Sequence, residues 1–128
     1  MKPEGFPENT VVYTGTHDND TTVGWFRREA GVNNTETEEQ IEEERQRVLE
    51  QVHTDGSEIH WDLISLAHRL SSHTAIVPLQ DVLGLGSEAR MNVPGKMDGN
   101  WAWRFQQSDL NSDDLKRLRD ITDWADRL

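Results

Sequence analysis

The sequence predicts an α/β fold with parallel strands. Two short stretches of apolar and β-branched residues, 11–16 and 74–79, have the composition of buried strands. Longer segments between and after them carry apolar residues at helical spacing. The resulting order is strand, helices, strand, long loop and helix, which is typical of β-α-β units whose successive strands run parallel.

The first elements are marked by local signals. A loop over 1–10 contains proline and glycine and leads into the first strand. Asp20 or Thr21 can cap a short helix that follows this strand. Thr35 or Thr37 can cap the clearest helix, which runs to residue 52 and has an acidic first turn.

The second half repeats the pattern. A helix is predicted over 58–71, and the strand over 74–79 follows it. The loop over 82–107 is rich in glycine and proline and is long for a plain connection, which favours a functional loop. The last helix is predicted over 112–127, with Ser112 as N-cap. Its face is expected to carry two ion pairs, Asp113 with Arg117 and Asp123 with Arg127.

Composition limits the size and the partners of the chain. Its 128 residues suffice for one small domain, but a complete eight-stranded α/β barrel needs about 250. Only 34% of the residues are hydrophobic, so a large self-sufficient core is not expected. The formal net charge of −11 argues against nucleic acid and anionic membranes as partners, because both attract basic surfaces.

Several kinds of site can be excluded from the residue types. The chain has no cysteine, which excludes disulfides, thiolate zinc sites and cysteine nucleophiles. His60 and His68 are too far apart to form the paired histidines of a helical metal motif, and we expect no metal site and no cofactor. Residues 1–5 contain no apolar signal region, so we expect a cytoplasmic location.

Polar residues follow each predicted strand. His17 and Asp18 come where the first strand would end, and Gln80 and Asp81 come after the second. The carboxyl ends of parallel strands are where α/β barrels carry their chemistry. Aspartate and asparagine also favour turns and N-caps, so residues 17–20 can equally form a turn before the next helix.

Two stretches resemble one enzyme family. Residues 13–22 read YTGTHDNDTT, and residues 76–92 read IVPLQDVLGLGSEARMN. Both resemble signatures of the 4-α-glucanotransferases of glycoside hydrolase family 77, also called amylomaltases or disproportionating enzymes. The resemblance implies that residues 1–128 are the C-terminal fragment of a catalytic (β/α)8 TIM barrel. The fragment would supply the last two strands and their helices, which makes an incomplete barrel with unpaired strand edges.

The resemblance also implies roles for particular residues. Asp18 matches the family's third acid, which stabilises the transition state, and the neighbouring His17 matches a residue that hydrogen-bonds the sugar. Asn92 lies in a loop that borders the glucan groove and is a plausible sugar contact. The family's nucleophile and acid/base motifs are absent from these 128 residues. Further candidates are a second carboxylate or a helix cap at Asp20, a structural or supporting role for Asp81, loop positioning by Arg90, and sugar stacking or loop anchoring by Trp101 and Trp103.

The implied reaction is transfer of a 4-α-glucan segment to glucose or to another glucan by retaining double displacement. The expected partners are maltooligosaccharides, starch or glycogen-type α-1,4-glucans, a glucose acceptor and the missing N-terminal part of the barrel. We expect the isolated chain to be inactive. The alternatives are an α-amylase-like glucan hydrolase and a non-catalytic glucan-binding or interaction fragment.

Overall fold

A computed structural model describes residues 7–128, so part of the predicted loop over 1–10 lies outside the described residues. The predicted order of elements is confirmed, with one further short helix. The elements are β1 (Val11–Tyr13), α1 (Thr22–Phe26), α2 (Glu38–Val52), α3 (Ile59–Arg69), β2 (Thr74–Ile76), α4 (Leu79–Val82) and α5 (Ser112–Trp124). Two single 3-10 turns, Ser87–Ala89 and Gln107–Asp109, interrupt the loop before α5. None of the helices in the described part is long and apolar enough to cross a membrane.

The two strands form a parallel pair, as the sequence predicts. Val11 lies opposite Thr74 and Tyr13 opposite Ile76. The prediction that these strands are buried is wrong, since Val11, Tyr13 and Ile76 are each about half exposed. The sheet has only these two strands among residues 7–128, so no neighbouring strand covers their outer edges.

Side chains next to the helices fix where three of them begin. The Thr21 hydroxyl accepts a hydrogen bond from the Gly24 amide and caps α1, which settles the choice between Asp20 and Thr21. Thr37 forms a capping box at the start of α2. The prediction of Ser112 as the cap of α5 is wrong, because Asn111 accepts the bond from the Asp114 amide.

The core lies around α3. Trp61 and Ile64 of this helix pack with Val82 of α4, and partly buried side chains of α5 cover the cluster. Ile41 of α2 and Ile59 of α3 are also fully buried. The far end of α5 contributes little to this core, since Trp124 is 83% exposed.

The predicted ion pairs along α5 are wrong. Arg117 binds Glu58, directly before α3, through both terminal guanidinium nitrogens, and its guanidinium lies 5.0 Å from the Trp61 ring. Arg127 donates to backbone carbonyls at the end of α3 and just after it, instead of to Asp123. Both arginines therefore bind groups distant in sequence, and the α5 pair that does form is Lys116 with Asp120.

Candidate active site

The loop between β1 and α1 carries the two residues that the sequence singles out. His17 and Asp18 lie in a tight turn of this loop, and their side chains are 58% and 52% exposed. The Asn19 side chain closes the turn by accepting hydrogen bonds from the Thr16 amide and hydroxyl. His17 Nε2 lies 3.3 Å from Asp18 Oδ2. The turn interpretation is thus correct, and the turn presents both side chains beyond the end of β1.

A second segment, residues 86–92, holds Asp18 in place. The Asn92 amide donates to Asp18 Oδ1 at 2.7 Å, and Arg90 Nη2 donates to the Asp18 backbone carbonyl at 2.7 Å. Arg90 Nε also donates to the Asn92 carbonyl, which fixes the two residues relative to each other. The structure therefore brings all three predicted site residues together, and it supports the loop-positioning role expected of Arg90.

The two tryptophans of the long loop lie in different surroundings. The Trp101 ring lies 5.2 Å from the His17 ring, centroid to centroid, and is 57% exposed. The Trp101 backbone has a left-handed φ of 60°, and its amide donates to the Met91 carbonyl. Trp103 instead stacks on Phe105, at 6.3 Å. Only Trp101 thus contacts one of the predicted site residues.

Asp20 has a different role from the cap that its position suggested. Its carboxylate accepts hydrogen bonds from the Thr21 amide and from the Ser87 hydroxyl, at 2.8 and 2.7 Å. Helix α1 approaches this contact so closely that a side chain at Gly24 would come within 2.5 Å of Asp20 Oδ1. Asp20 therefore joins the loop after β1 to the 86–92 segment.

Asp81 is buried, at 2% exposure, although it follows a strand end. Its carboxylate accepts three hydrogen bonds, from the Thr14 hydroxyl, the Thr22 amide and the Thr22 hydroxyl, at 2.7 to 2.9 Å. The sequence left open whether Asp81 supports the site or the fold. Thr14 and Thr22, at the two ends of the predicted loop, are the sequence signal that could have indicated these contacts.

An open pocket of about 540 Å³ lies where the two strands end. Pockets of a few hundred cubic ångströms are typical of small-ligand sites. Among residues 7–128, no group of three or more histidine, aspartate or glutamate side chains is arranged to hold a metal ion. The pocket has polar side chains from both strand ends, and its lining residues are Tyr13, Gly15, Thr16, His17, Asn19, Asp20, Thr21, Ile76, Pro78, Gln80, Asp81, Arg90 and Met91.

Comparison with known proteins shows which family the chain belongs to. The profile of the 4-alpha-glucanotransferase family matches residues 1–110. The chain is 50% identical over 104 residues to a 4-alpha-glucanotransferase of Synechocystis, covering 80% of this chain and 18% of that protein. It is 40% identical over 128 residues to a 4-alpha-glucanotransferase of Thermus thermophilus, covering 98% of this chain and 25% of that protein.

A solved structure shows the same likeness in three dimensions. An amylomaltase from Streptococcus agalactiae, solved in complex with acarbose, superposes with a TM-score of 0.82 at 29% identity. The superposition covers 98% of this chain and 23% of that one. The chain thus spans about a fifth to a quarter of the length of these relatives. By sequence and by structure, the chain belongs to the 4-alpha-glucanotransferase family.

Proposed function

We propose that this chain supplies the transition-state-stabilising acid and part of the sugar site of a 4-α-glucanotransferase, as the C-terminal portion of its (β/α)8 barrel. The observation that carries the proposal is the fixed position of Asp18. The Asp18 carboxylate lies beyond the end of a parallel strand and accepts a hydrogen bond from Asn92, and Arg90 of the same second segment donates to the Asp18 backbone carbonyl. Both segments lie within the stretches that resemble the family's signatures.

Asp18 is arranged to interact with developing positive charge. Retaining transfer passes through transition states that resemble an oxocarbenium ion. A carboxylate oriented in advance stabilises that charge more than it stabilises the neutral sugar, and only this difference accelerates the reaction. The bond from Asn92 fixes one carboxylate oxygen, and the other oxygen faces His17. The attacking carboxylate and the proton donor, about 5–5.5 Å apart in retaining enzymes, would come from other strands.

His17 and Asn92 would bind the sugar in this proposal. The His17 ring is more than half exposed and lies beside the open pocket, so its nitrogens can reach a sugar hydroxyl. A side-chain amide has two N–H donors and an oxygen acceptor. Asn92 can therefore hold Asp18 and still contact a sugar hydroxyl. Trp101, against His17, offers an aromatic face to a sugar ring.

The exposed sheet supports the proposed partner, which is the rest of the barrel. Unpaired strand edges are normally covered in native proteins, and a closed barrel has none. Here β1 and β2 pair only with each other among the described residues, and Val11, Tyr13 and Ile76 are about half exposed. Additional strands would cover both edges. The proposed substrates are maltooligosaccharides, starch or glycogen-type α-1,4-glucans, with glucose or a glucan as acceptor, and no cofactor is needed for this chemistry.

A graft tests the reaction. In the graft, residues 1–128 replace the segment that they match in the Thermus thermophilus 4-alpha-glucanotransferase, and maltotriose is the only substrate. If the graft catalyses transfer, longer and shorter oligosaccharides should appear together. Release of shorter products alone would indicate a hydrolase, in which water replaces the sugar acceptor. A folded graft without products would indicate a non-catalytic glucan-binding piece, and either result contradicts the proposal.

We also propose a cytoplasmic location. The absence of cysteine from the sequence is compatible with a reducing compartment. One relative from Arabidopsis thaliana is named as a chloroplastic or amyloplastic enzyme, so family membership does not fix the compartment. Cell fractionation with an antibody against the chain tests the location, and recovery in an organelle or membrane fraction would contradict it.

A further inference from the structure

We infer that Asp81 is a positioning residue that sets the geometry of the loop carrying His17 and Asp18, an inference that rests on the proposed function. The carboxylate contacts Thr14, directly after β1, and Thr22, the first residue of α1. These two residues are the two ends of the loop. One buried carboxylate therefore joins both ends of the segment that presents the acid.

The hydrogen bonds that Asp81 accepts are suited to holding Thr14 and Thr22 in fixed positions. Hydrogen bonds to a charged acceptor are roughly twice as strong as bonds between neutral groups. Three donors converge on the two oxygens of Asp81, at 2.7 to 2.9 Å. Both Asp81 and Thr22 are buried, so water competes little for these bonds. Both ends of the loop are therefore held by bonds to one buried carboxylate.

The neighbouring residue, Gln80, holds the second segment of the site. Its side-chain amide donates to the carbonyl of Ala89, which is fully buried. Ala89 directly precedes Arg90, and Arg90 and Asn92 contact Asp18. Two consecutive residues of α4 thus anchor the two segments that meet at Asp18. A change at Asp81 would displace one segment relative to the other.

The expected effect is a loss of turnover with little loss of substrate affinity. A displacement of about 1 Å in a reacting geometry can cost about 100-fold in rate. Asp81→Asn preserves the size of the side chain but removes its charge and replaces one acceptor oxygen with a donor group, so the groups that donate to that oxygen must reorient or lose their bonds. We expect kcat to fall about 10- to 100-fold in the graft, with KM unchanged within about two-fold.

The first experiment uses the 128-residue chain and does not depend on activity. Amide hydrogen exchange is measured in the wild type, in Asp81→Asn and in Asp62→Asn, a control whose carboxylate also accepts a threonine hydroxyl, far from the loop. Asp81→Asn should speed exchange across residues 15–22 by about 10-fold or more without affecting α2 or α5. Any of three results would overturn the inference. These are unchanged exchange rates in residues 15–22, an equal increase in exchange throughout the chain, and a Thr22 amide that is not protected from exchange in the wild type.

The second experiment uses the graft and separates positioning from folding. If Asp81 acts through Asp18, Asp81→Asn should cost less than about three-fold in kcat once Asp18→Asn is present, because coupled changes are not additive. Thr14→Val should reproduce part of the loss, and Thr14→Ser, which keeps the hydroxyl, should restore it. If Asp81→Asn lowers kcat by the same factor with and without Asp18→Asn, the inference is overturned. If Asp18→Asn alone leaves kcat unchanged, the proposed function fails, and the exchange experiment still judges Asp81 separately.

Discussion

Arg127 is expected to be the most important single side chain for attaching α5 to the rest of the chain. Its guanidinium donates to the backbone carbonyls of His68, Leu70, Ser72 and His73, at 2.8 to 3.2 Å. These carbonyls lie at the end of α3 and in the turn that leads to β2. The last carbonyls of a helix have no partners within the helix and carry partial negative charge, so a cation is well placed there.

The loss of stability expected when Arg127 is removed follows from the number and exposure of these hydrogen bonds. A hydrogen bond to a charged group is worth about 1.5–3 kcal/mol, but four bonds from one side chain are not additive. The carbonyls nearest the surface regain water when the guanidinium is removed. We therefore expect Arg127→Ala to lower the free energy of unfolding by about 2–3 kcal/mol. Arg127→Lys should lose about half as much, since an ammonium lacks the planar fork that reaches several carbonyls.

Urea unfolding followed by tryptophan fluorescence measures the loss. Sulfate in the buffer strengthens apolar burial and keeps the variants folded at zero urea. The matched control is Arg119→Ala, at an exposed arginine within α5, which should change stability by less than about 0.5 kcal/mol. If Arg127→Ala is as stable as Arg119→Ala, the four bonds do not attach α5 and the reasoning fails.

Four further outcomes are expected of the isolated chain. Purified chain should not convert maltotriose to other oligosaccharides, because the family's nucleophile and acid/base motifs are absent from its sequence, and formation of maltotetraose would refute this. It should be marginally stable or self-associating, because no further strand among residues 7–128 pairs with the edges of β1 and β2; a monodisperse monomer with a sharp melt well above room temperature would count against this. Stability should decline as the pH falls below about 6.5. Burial lowers the pKa of His60, so the unfolded chain takes up this proton first, and thermal melts of His60→Gln should show a smaller decline between pH 7 and pH 5. Below about pH 4.5 a second decline is expected. The hydrogen bond from Arg117 lowers the pKa of Glu58, and its contribution to stability is lost on protonation.

Most of the fold could be predicted because its signals are local. Strand composition, helical spacing and capping side chains each involve residues close in sequence, and they located β1, β2 and the four longer helices. Helix α4 was missed because four residues after Pro78 are too few to show a period. The exposure of the strands could not be read from apolar residues, since a strand is buried only when other elements cover it.

The site required contacts between residues far apart in the chain. The resemblance indicated His17, Asp18 and Asn92, but the hydrogen bond between Asp18 and Asn92 joins residues 74 positions apart. The bonds of Asp81 span 59 and 67 positions. Side-chain partners at such separations depend on how the elements pack, and no local pattern records them. For the same reason, the expected helix-face partners of Arg117 and Arg127 were wrong.

Comparing Asp18→Asn with Asp20→Asn in the graft tests the central claim most directly. The two carboxylates lie in one loop, yet only Asp18 is assigned to the transition state, and Asp20 binds Ser87. Asp18→Asn should lower kcat about 10²–10³-fold with little change in KM. Asp20→Asn should cost about 1 kcal/mol of stability and leave kcat within a few-fold of the unmutated graft. If Asp20→Asn abolishes turnover while Asp18→Asn leaves it intact, the acid has been assigned to the wrong residue.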